Sequence, residues 1–243
     1  MNRTSTRKYF RDSKEKMFLT RKKYKEVLKL KKKFYFSDFD LITSYGLFSG
    51  DTNLYKTLTI YDLIKKTSKI KGDIIELGVW RGNTSLLIKK ILDIFKIKKK
   101  VFLLDHFKGL VHYNKKDIKT SKAFKGQFVS KKKQIRSFIK FFRLKNIEII
   151  DKDATTLKPG FFKKKKFAFA YFDMDLYQPT IKGLQSIDKN MTIGSLIVFD
   201  EGNKNQWSER LAIRDFLREN KKYKKLYLNK YRQPDIILKK IRN

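Results

Sequence analysis

Apolar positions along this chain fall into short blocks that switch between a helical and a strand period. Within residues 51–66, Leu54, Leu58, Tyr61 and Ile64 stand at spacings of four, three and three, which predicts one apolar helical stripe. After Lys71-Gly72 the run Asp73-Ile74-Ile75-Glu76-Leu77 predicts a short buried strand, followed by a glycine-bearing turn. A helix over 85–95 then places Leu87, Ile88, Ile91, Leu92 and Phe95 on one face. The unit recurs. A strand over 101–104 runs into Asp105, and a helix over 134–142 turns Ile135, Phe138, Ile139 and Phe142 inward. Strands over 147–150, 167–172 and 195–199 follow; the last two end in Asp173 and Asp200 and enclose a helix containing Ile181 and Ile187. Two strand-like runs, 225–231 and 235–241, flank Arg232-Gln233-Pro234 and predict an antiparallel hairpin at a sheet edge. Strands alternating with helices imply an α/β fold with a mostly parallel sheet covered on both faces. Residues 1–50 alternate basic and aromatic positions without a strand period and predict a basic helical extension, leaving 51–243 as the main domain.

Composition narrows this picture. A chain of 243 residues, 41% apolar and 14% aromatic, is long and oily enough to bury the core of one such domain. No apolar run approaches the roughly 18 to 20 residues of a membrane-spanning helix. The basic N-terminal stretch lacks the apolar core and cleavage site of a secretory signal, so the expected location is cytoplasmic. With no cysteine, disulfides and thiolate metal sites are excluded. A net charge of +36 suits a polyanion such as RNA. The lysines, however, cluster at 31–33, 98–100, 131–133 and 163–166, at predicted turns and helix ends along the whole chain, and scattered runs of that kind are usually solvated surface. Nucleic acid is therefore the second candidate partner, behind a small molecule.

In an open parallel sheet, ligands bind beyond the carboxyl ends of the strands. Those positions are acidic one after another: Glu76, then Asp105, then Asp153-Ala154, then Asp173 and Asp175, then Asp200-Glu201. Between the first strand and its helix stands Gly78-Val79-Trp80-Arg81-Gly82-Asn83-Thr84. Its glycines permit a tight turn and a close ligand approach, and the helix start beyond Asn83 offers free amide donors. The Gly-x-x-x-Gly spacing is not the Gly-x-Gly-x-x-Gly of a dinucleotide fingerprint. Asp105 is placed for two ribose hydroxyls and Asp153 for an adenine amino group.

The stretches GDIIELGVWRGNTS, FLLDHFKGL, FDMDLYQPT and GSLIVFDEGNKNQW, in that order between about residues 54 and 216, resemble the TylF/MycF/NovP group of O-methyltransferases. The resemblance implies a class I methyltransferase fold of seven strands and an activity on hydroxyls of sugars or sugar-containing molecules, including nucleotide sugars. It implies S-adenosylmethionine (SAM) at Glu76, Gly78, Gly82 and Asp105, with Asn83, Asp153 and Ala154 in the same pocket. It also implies magnesium at Asp173, Asp200 and Glu201, with Glu201 standing where the family has Asp. Three carboxylates converging at strand ends repel one another unless a cation, metal or lysine, compensates them. Magnesium accepts such oxygen donors, lowers the pKa of a coordinated hydroxyl and fixes its orientation. Asp175 ranks first as the proton acceptor, with His106 and His112 behind it, while helix capping is the competing role for Asp175. Trp207 and Tyr177 are candidates for the acceptor pocket. Residues 111–130 form a long polar connection expected to close as a lid, and they lack the proline the family commonly carries after Gly-Leu. An RNA methyltransferase, a non-catalytic or hydroxylase-type member of the fold, and a homo-oligomer are the remaining expectations.

Overall fold

The computed structural model describes residues 54–118, 125–158, 160–202, 207–228 and 233–242. The expected extension over 1–50 lies outside them. Helix α1 (Leu54–Thr67) precedes β1 (Asp73–Leu77), α2 (Asn83–Ile94), β2 (Val101–Asp105), a one-turn α3 (Lys115–Ile118), α4 (Lys132–Phe141) and β3 (Ile147–Asp151). Then come β4 (Phe167–Phe172), α5 (Tyr177–Ile187), β5 (Met191–Phe199), α6 (Glu209–Glu219), β6 (Tyr223–Tyr227) and β7 (Ile236–Lys240). The seven strands form one sheet in the order β3-β2-β1-β4-β5-β7-β6. Strands β1 to β5 pair in parallel, whereas β7 runs antiparallel to both β5 and β6. The expected mostly parallel sheet with an antiparallel C-terminal hairpin is what forms, and β7, not β6, lies next to β5.

Alternation along each strand divides the core into two layers. Ile75, Leu77, Phe102, Leu104, Ala170, Phe172, Ile197 and Phe199 face one way and pack with Leu184 of α5 and Ile213 and Phe216 of α6. Ile74, Val101, Leu103, Phe169, Tyr171 and Val198 face the other way, beneath Ile60 and Ile64 of α1 and Ile88 and Leu92 of α2. Each fully buried side chain of this size contributes about 1.5–3 kcal/mol, so both faces of the sheet are held by packing. Among the described residues, no helix is long and apolar enough to cross a membrane.

Several expectations are corrected. Phe95 and Phe142, expected to face inward, cap α2 and α4 and are each 43% exposed. In α1, Leu54 and Leu58 are 57% and 55% exposed, and the buried face carries Lys56, Ile60, Leu63, Ile64 and Thr67. The stripe is rotated because Lys56, a charged residue, occupies a core position. Strand β5 begins at Met191, four residues before the expected start. A register shift between Phe167 and Phe169, together with Gly194 at φ +84°, lengthens β5 against β4 and breaks the alternation that would have revealed it.

Candidate active site

Every acid singled out above sits at the carboxyl edge of the sheet, where the parallel strands aim their ends. On the β1–β2–β3 side the carboxylates are tied into the chain's own framework. Asp105 accepts hydrogen bonds from the backbone N–H groups of Val79 and Trp80 at 2.8 and 2.9 Å, and from Phe107 N–H at 2.6 Å. It thereby fixes the turn after β1 to the end of β2; Oδ2 takes both Val79 and Trp80, and Oδ1, bonded to Phe107, keeps a second lone-pair direction for a ligand. Trp80, at φ 48°, is held in the left-handed region by this anchoring. Asp153 caps the short 3-10 turn Ala154–Thr156 through Thr155 N–H (2.8 Å) and hydroxyl (2.7 Å), and its other oxygen meets Nε2 of His112. Partial burial raises the Asp153 pKa, but the bonds from Thr155 and then His112 outweigh it and hold the group below its ordinary value.

The turn glycines are required for different reasons. At Gly78, φ is +85° and an added Cβ would lie 2.0 Å from the backbone oxygen of Asp173, so the close approach is made by the loop after β4. Gly82 at φ +82° is the left-handed N-cap of α2, with Asn83 exposed as the first helical residue. Glu76, 1% exposed, points to the α1/α2 face and accepts a hydrogen bond from the Ser85 hydroxyl. Burial, assisted by Asp173, pushes its pKa up to about 8.

On the β4–β5 side the acids crowd together. Asp173 follows β4 directly. Asp175, 4% exposed and at φ 59°, precedes α5, and its backbone oxygen accepts from Glu209 N–H at 3.2 Å. Asp200 and Glu201, 2% and 1% exposed, follow β5. Sequence reasoning missed Glu209: it is buried in the first turn of α6, and its carboxylate accepts from the N–H groups of Met174 (3.4 Å) and Glu201 (3.3 Å). Burial, then Asp173, Asp175 and Asp200, raise its pKa well above the usual carboxylate range. Also missed was Lys56, whose Nζ pairs with Asp200 Oδ1 at 2.8 Å while the Tyr171 hydroxyl donates to the same oxygen. A lysine thus lies in the cluster where a compensating cation was expected. Glu201 Oε1 accepts from the Gln233 side chain.

The connection after β2 is strapped down where it is described. Asp117 of α3 is wholly buried and accepts from Asn114 N–H (2.8 Å), Tyr177 N–H (2.8 Å) and the Ser208 hydroxyl, which binds it to the starts of α5 and α6. Residues 119–124 of the expected lid lie outside the described residues. The Tyr113 hydroxyl is buried nearby, its pKa raised by burial, Asp175 and Asp117. Trp207 is buried, and Tyr177 donates its hydroxyl to Asp215 at 3.0 Å.

His106, His112 and Asp153 bring ligand atoms within 4.8 Å of one another, a spacing compatible with a metal ion. His106 Nδ1 accepts from Lys108 N–H at 3.0 Å, which assigns the proton to Nε2 and opposes ligation through that nitrogen.

The chain matches the description "Macrocin-O-methyltransferase (TylF)" over residues 50–227, a span that includes every acid described above. The chain belongs to this family. This TylF-family chain is 22% identical over 145 residues to the 8-demethyl-8-(2,3-dimethoxy-alpha-L-rhamnosyl)-tetracenomycin-C 4'-O-methyltransferase of Streptomyces olivaceus, covering 54% of this chain and 53% of that one. It is 25% identical over 148 residues to the demethyldecarbamoylnovobiocin O-methyltransferase of Streptomyces niveus, covering 55% and 54%. The chain spans about half the length of these curated relatives. Among solved structures, a calicheamicin methyltransferase shares its fold at a TM-score of 0.72 and 21% identity, covering 96% of this chain and 95% of that one. The O-methyltransferase NovP does so at 0.63 and 17%, covering 78% and 81%.

Proposed function

We propose that this TylF-family chain is a SAM-dependent O-methyltransferase that methylates a hydroxyl of a sugar or sugar-containing small molecule, with a magnesium-type cation at Asp173, Asp200 and Glu201. The observation that carries the reading is the convergence of these acids at the carboxyl edge of a TylF-family sheet. The two curated relatives, by their names, methylate a rhamnosyl-bearing tetracenomycin and demethyldecarbamoylnovobiocin. One solved neighbour is described as a TDP-rhamnose 3'-O-methyltransferase, which makes a nucleotide-linked sugar the first acceptor to test.

The residues fit both groups. For the cation, the donor set is oxygen throughout, as magnesium prefers. Burial, and after it the charge of Asp173, raises the pKa of both Glu209 and Glu76, and a cation beside Asp173 would relieve the second contribution. For SAM, the Gly78–Gly82 turn, Glu76 and Asn83 lie between the end of β1 and the start of α2, with Asp105 assigned to the ribose and Asp153-Ala154 to the adenine. When bound, SAM supplies an electrophilic methyl carbon and the cation supplies Lewis acidity to the acceptor hydroxyl. Asp175 is assigned as the acceptor of the hydroxyl proton, because its buried carboxylate lies between the start of α5 and the acid cluster. His106, on the loop that follows Asp105, is not assigned this role, because its Nδ1 lone pair is taken by Lys108 N–H. Tyr177 and Trp207 border the acceptor side, and Asp117 holds the connection after β2 across the starts of α5 and α6.

The test is a metal-controlled turnover assay with labelled SAM and a panel of nucleotide sugars and glycosides. Methyl transfer is expected to stop with chelator, to return with added magnesium, and to fall at least ~100-fold in Asp200→Ala. Transfer that survives complete metal removal would remove the cation from the mechanism. Transfer to RNA and to no sugar would remove the acceptor assignment.

A further inference from the structure

Lys56 is the one core-facing position of α1 whose side chain is charged. It stands four residues before Ile60 and eight before Ile64, in line with the buried stripe, so the helix directs it at the sheet. Its ammonium reaches Asp200 Oδ1 at 2.8 Å, with the two side chains 9% and 3% exposed. It also lies 5.3 Å from the ring centroid of Tyr171, whose hydroxyl donates to the same carboxylate oxygen. A buried ammonium persists only where anions compensate it, and a pair this dry is scarcely screened by salt. The ion pair is therefore a built-in part of the carboxylate cluster rather than a surface contact.

We propose that the Lys56 ammonium is a tethered counter-cation that occupies the place of a divalent metal at Asp200, so that a metal entering the cluster must displace it. This rests on the reading of Asp173, Asp200 and Glu201 as a divalent-cation site. Asp200 Oδ1 already receives two donors, Lys56 and Tyr171, and a carboxylate oxygen offers about two lone-pair directions. A divalent ion on that carboxylate meets both an occupied oxygen and a positive charge at hydrogen-bond distance from it. Displacing Lys56 also removes the ion pair between α1 and the end of β5.

The test is direct binding of Mn2+, followed by electron paramagnetic resonance of the free ion, to the full chain, Lys56→Met, Lys56→Gln and Asp200→Asn. Methionine keeps the length and apolar stem of lysine, while glutamine keeps a polar tip should methionine unfold the chain; circular dichroism checks each variant. Lys56→Met is expected to bind Mn2+ at least ~10-fold more tightly than the wild type, Lys56→Gln less so, and Asp200→Asn more weakly. If the wild type binds Mn2+ and neither Lys56 variant binds it more tightly, the tethered-cation role is wrong and the metal reading stands. If no form binds Mn2+, both fail.

Discussion

The two sides of the sheet's carboxyl edge hold acids of the same kind in opposite ways. Asp105 and Asp153, on the β2–β3 side, are surrounded by donors: backbone N–H groups of Val79, Trp80 and Phe107 for one, Thr155 and His112 for the other. On the β4–β5 side Asp173, Asp175, Asp200, Glu201 and Glu209 crowd together; burial and then Asp173, Asp175 and Asp200 raise the proton affinity of Glu209, and Lys56 is drawn in among them. Donor-rich acids suit the hydroxyl and amino groups of a ligand, because a spare lone pair can accept a hydrogen bond. Acids crowded without enough donors create a demand for positive charge. Gly78 joins the two sides, where the turn after β1 touches the backbone after β4.

The largest effect is expected where the two sides meet. Gly78→Ala places a methyl group against the Asp173 carbonyl at a positive φ, and should cost about 3 kcal/mol or more of stability, with both SAM and metal binding lost together. A melting curve and a SAM titration check it; loss of only one ligand would show that the sides are not joined there. Asp105→Ala should spare the metal side. It strands three backbone N–H groups, costing roughly 2–3 kcal/mol, and should weaken SAM binding at least ~10-fold by calorimetry while Mn2+ affinity holds.

Glu76, buried at the end of β1, gives a pH test between the two sides. Its pKa stands at about 8 when folded, against an ordinary 4.5. The folded state therefore keeps a proton that the unfolded chain releases above pH 4.5. Its stabilising contribution is whole below that pH and is lost as pH rises through about 8. Wild type should lose on the order of a few kcal/mol between pH 5 and 8.5 beyond any loss in Glu76→Gln, as read from urea midpoints; parallel curves would show that burial does not hold the Glu76 proton. The smallest change is expected from His112→Gln. That pair with Asp153 is partly exposed, so stability should move by less than about 1 kcal/mol.

Much of this edge was legible in the order of residues. The bounds of β1 and β4 agree with the apolar runs 73–77 and 167–172, and an acid after each strand marks the edge once the strands are parallel. Lys56 was illegible because a search for apolar stripes passes over a lysine, and its burial depends on Asp200, which is 144 positions away in sequence. Glu209 reads locally as an acid in the first turn of a helix, a common surface arrangement; only the meeting of the β4 and β5 loops over α6 buries it. Asp105 was read as a ligand contact, and its grip on Val79 and Trp80 follows from the pairing of β1 with β2.

Strand β7 carries a consequence for how the molecule is made. It lies between β5 and β6, and its partners on β5 are Leu196 to Phe199. On the ribosome, the outer edge of β5 therefore waits, oily and unbonded, until residue 240 has been synthesised and has left the exit tunnel. Up to that moment the nascent chain offers a row of open backbone groups to any neighbouring strand. The strand that shields this edge is thus made only after all five parallel strands have left the ribosome.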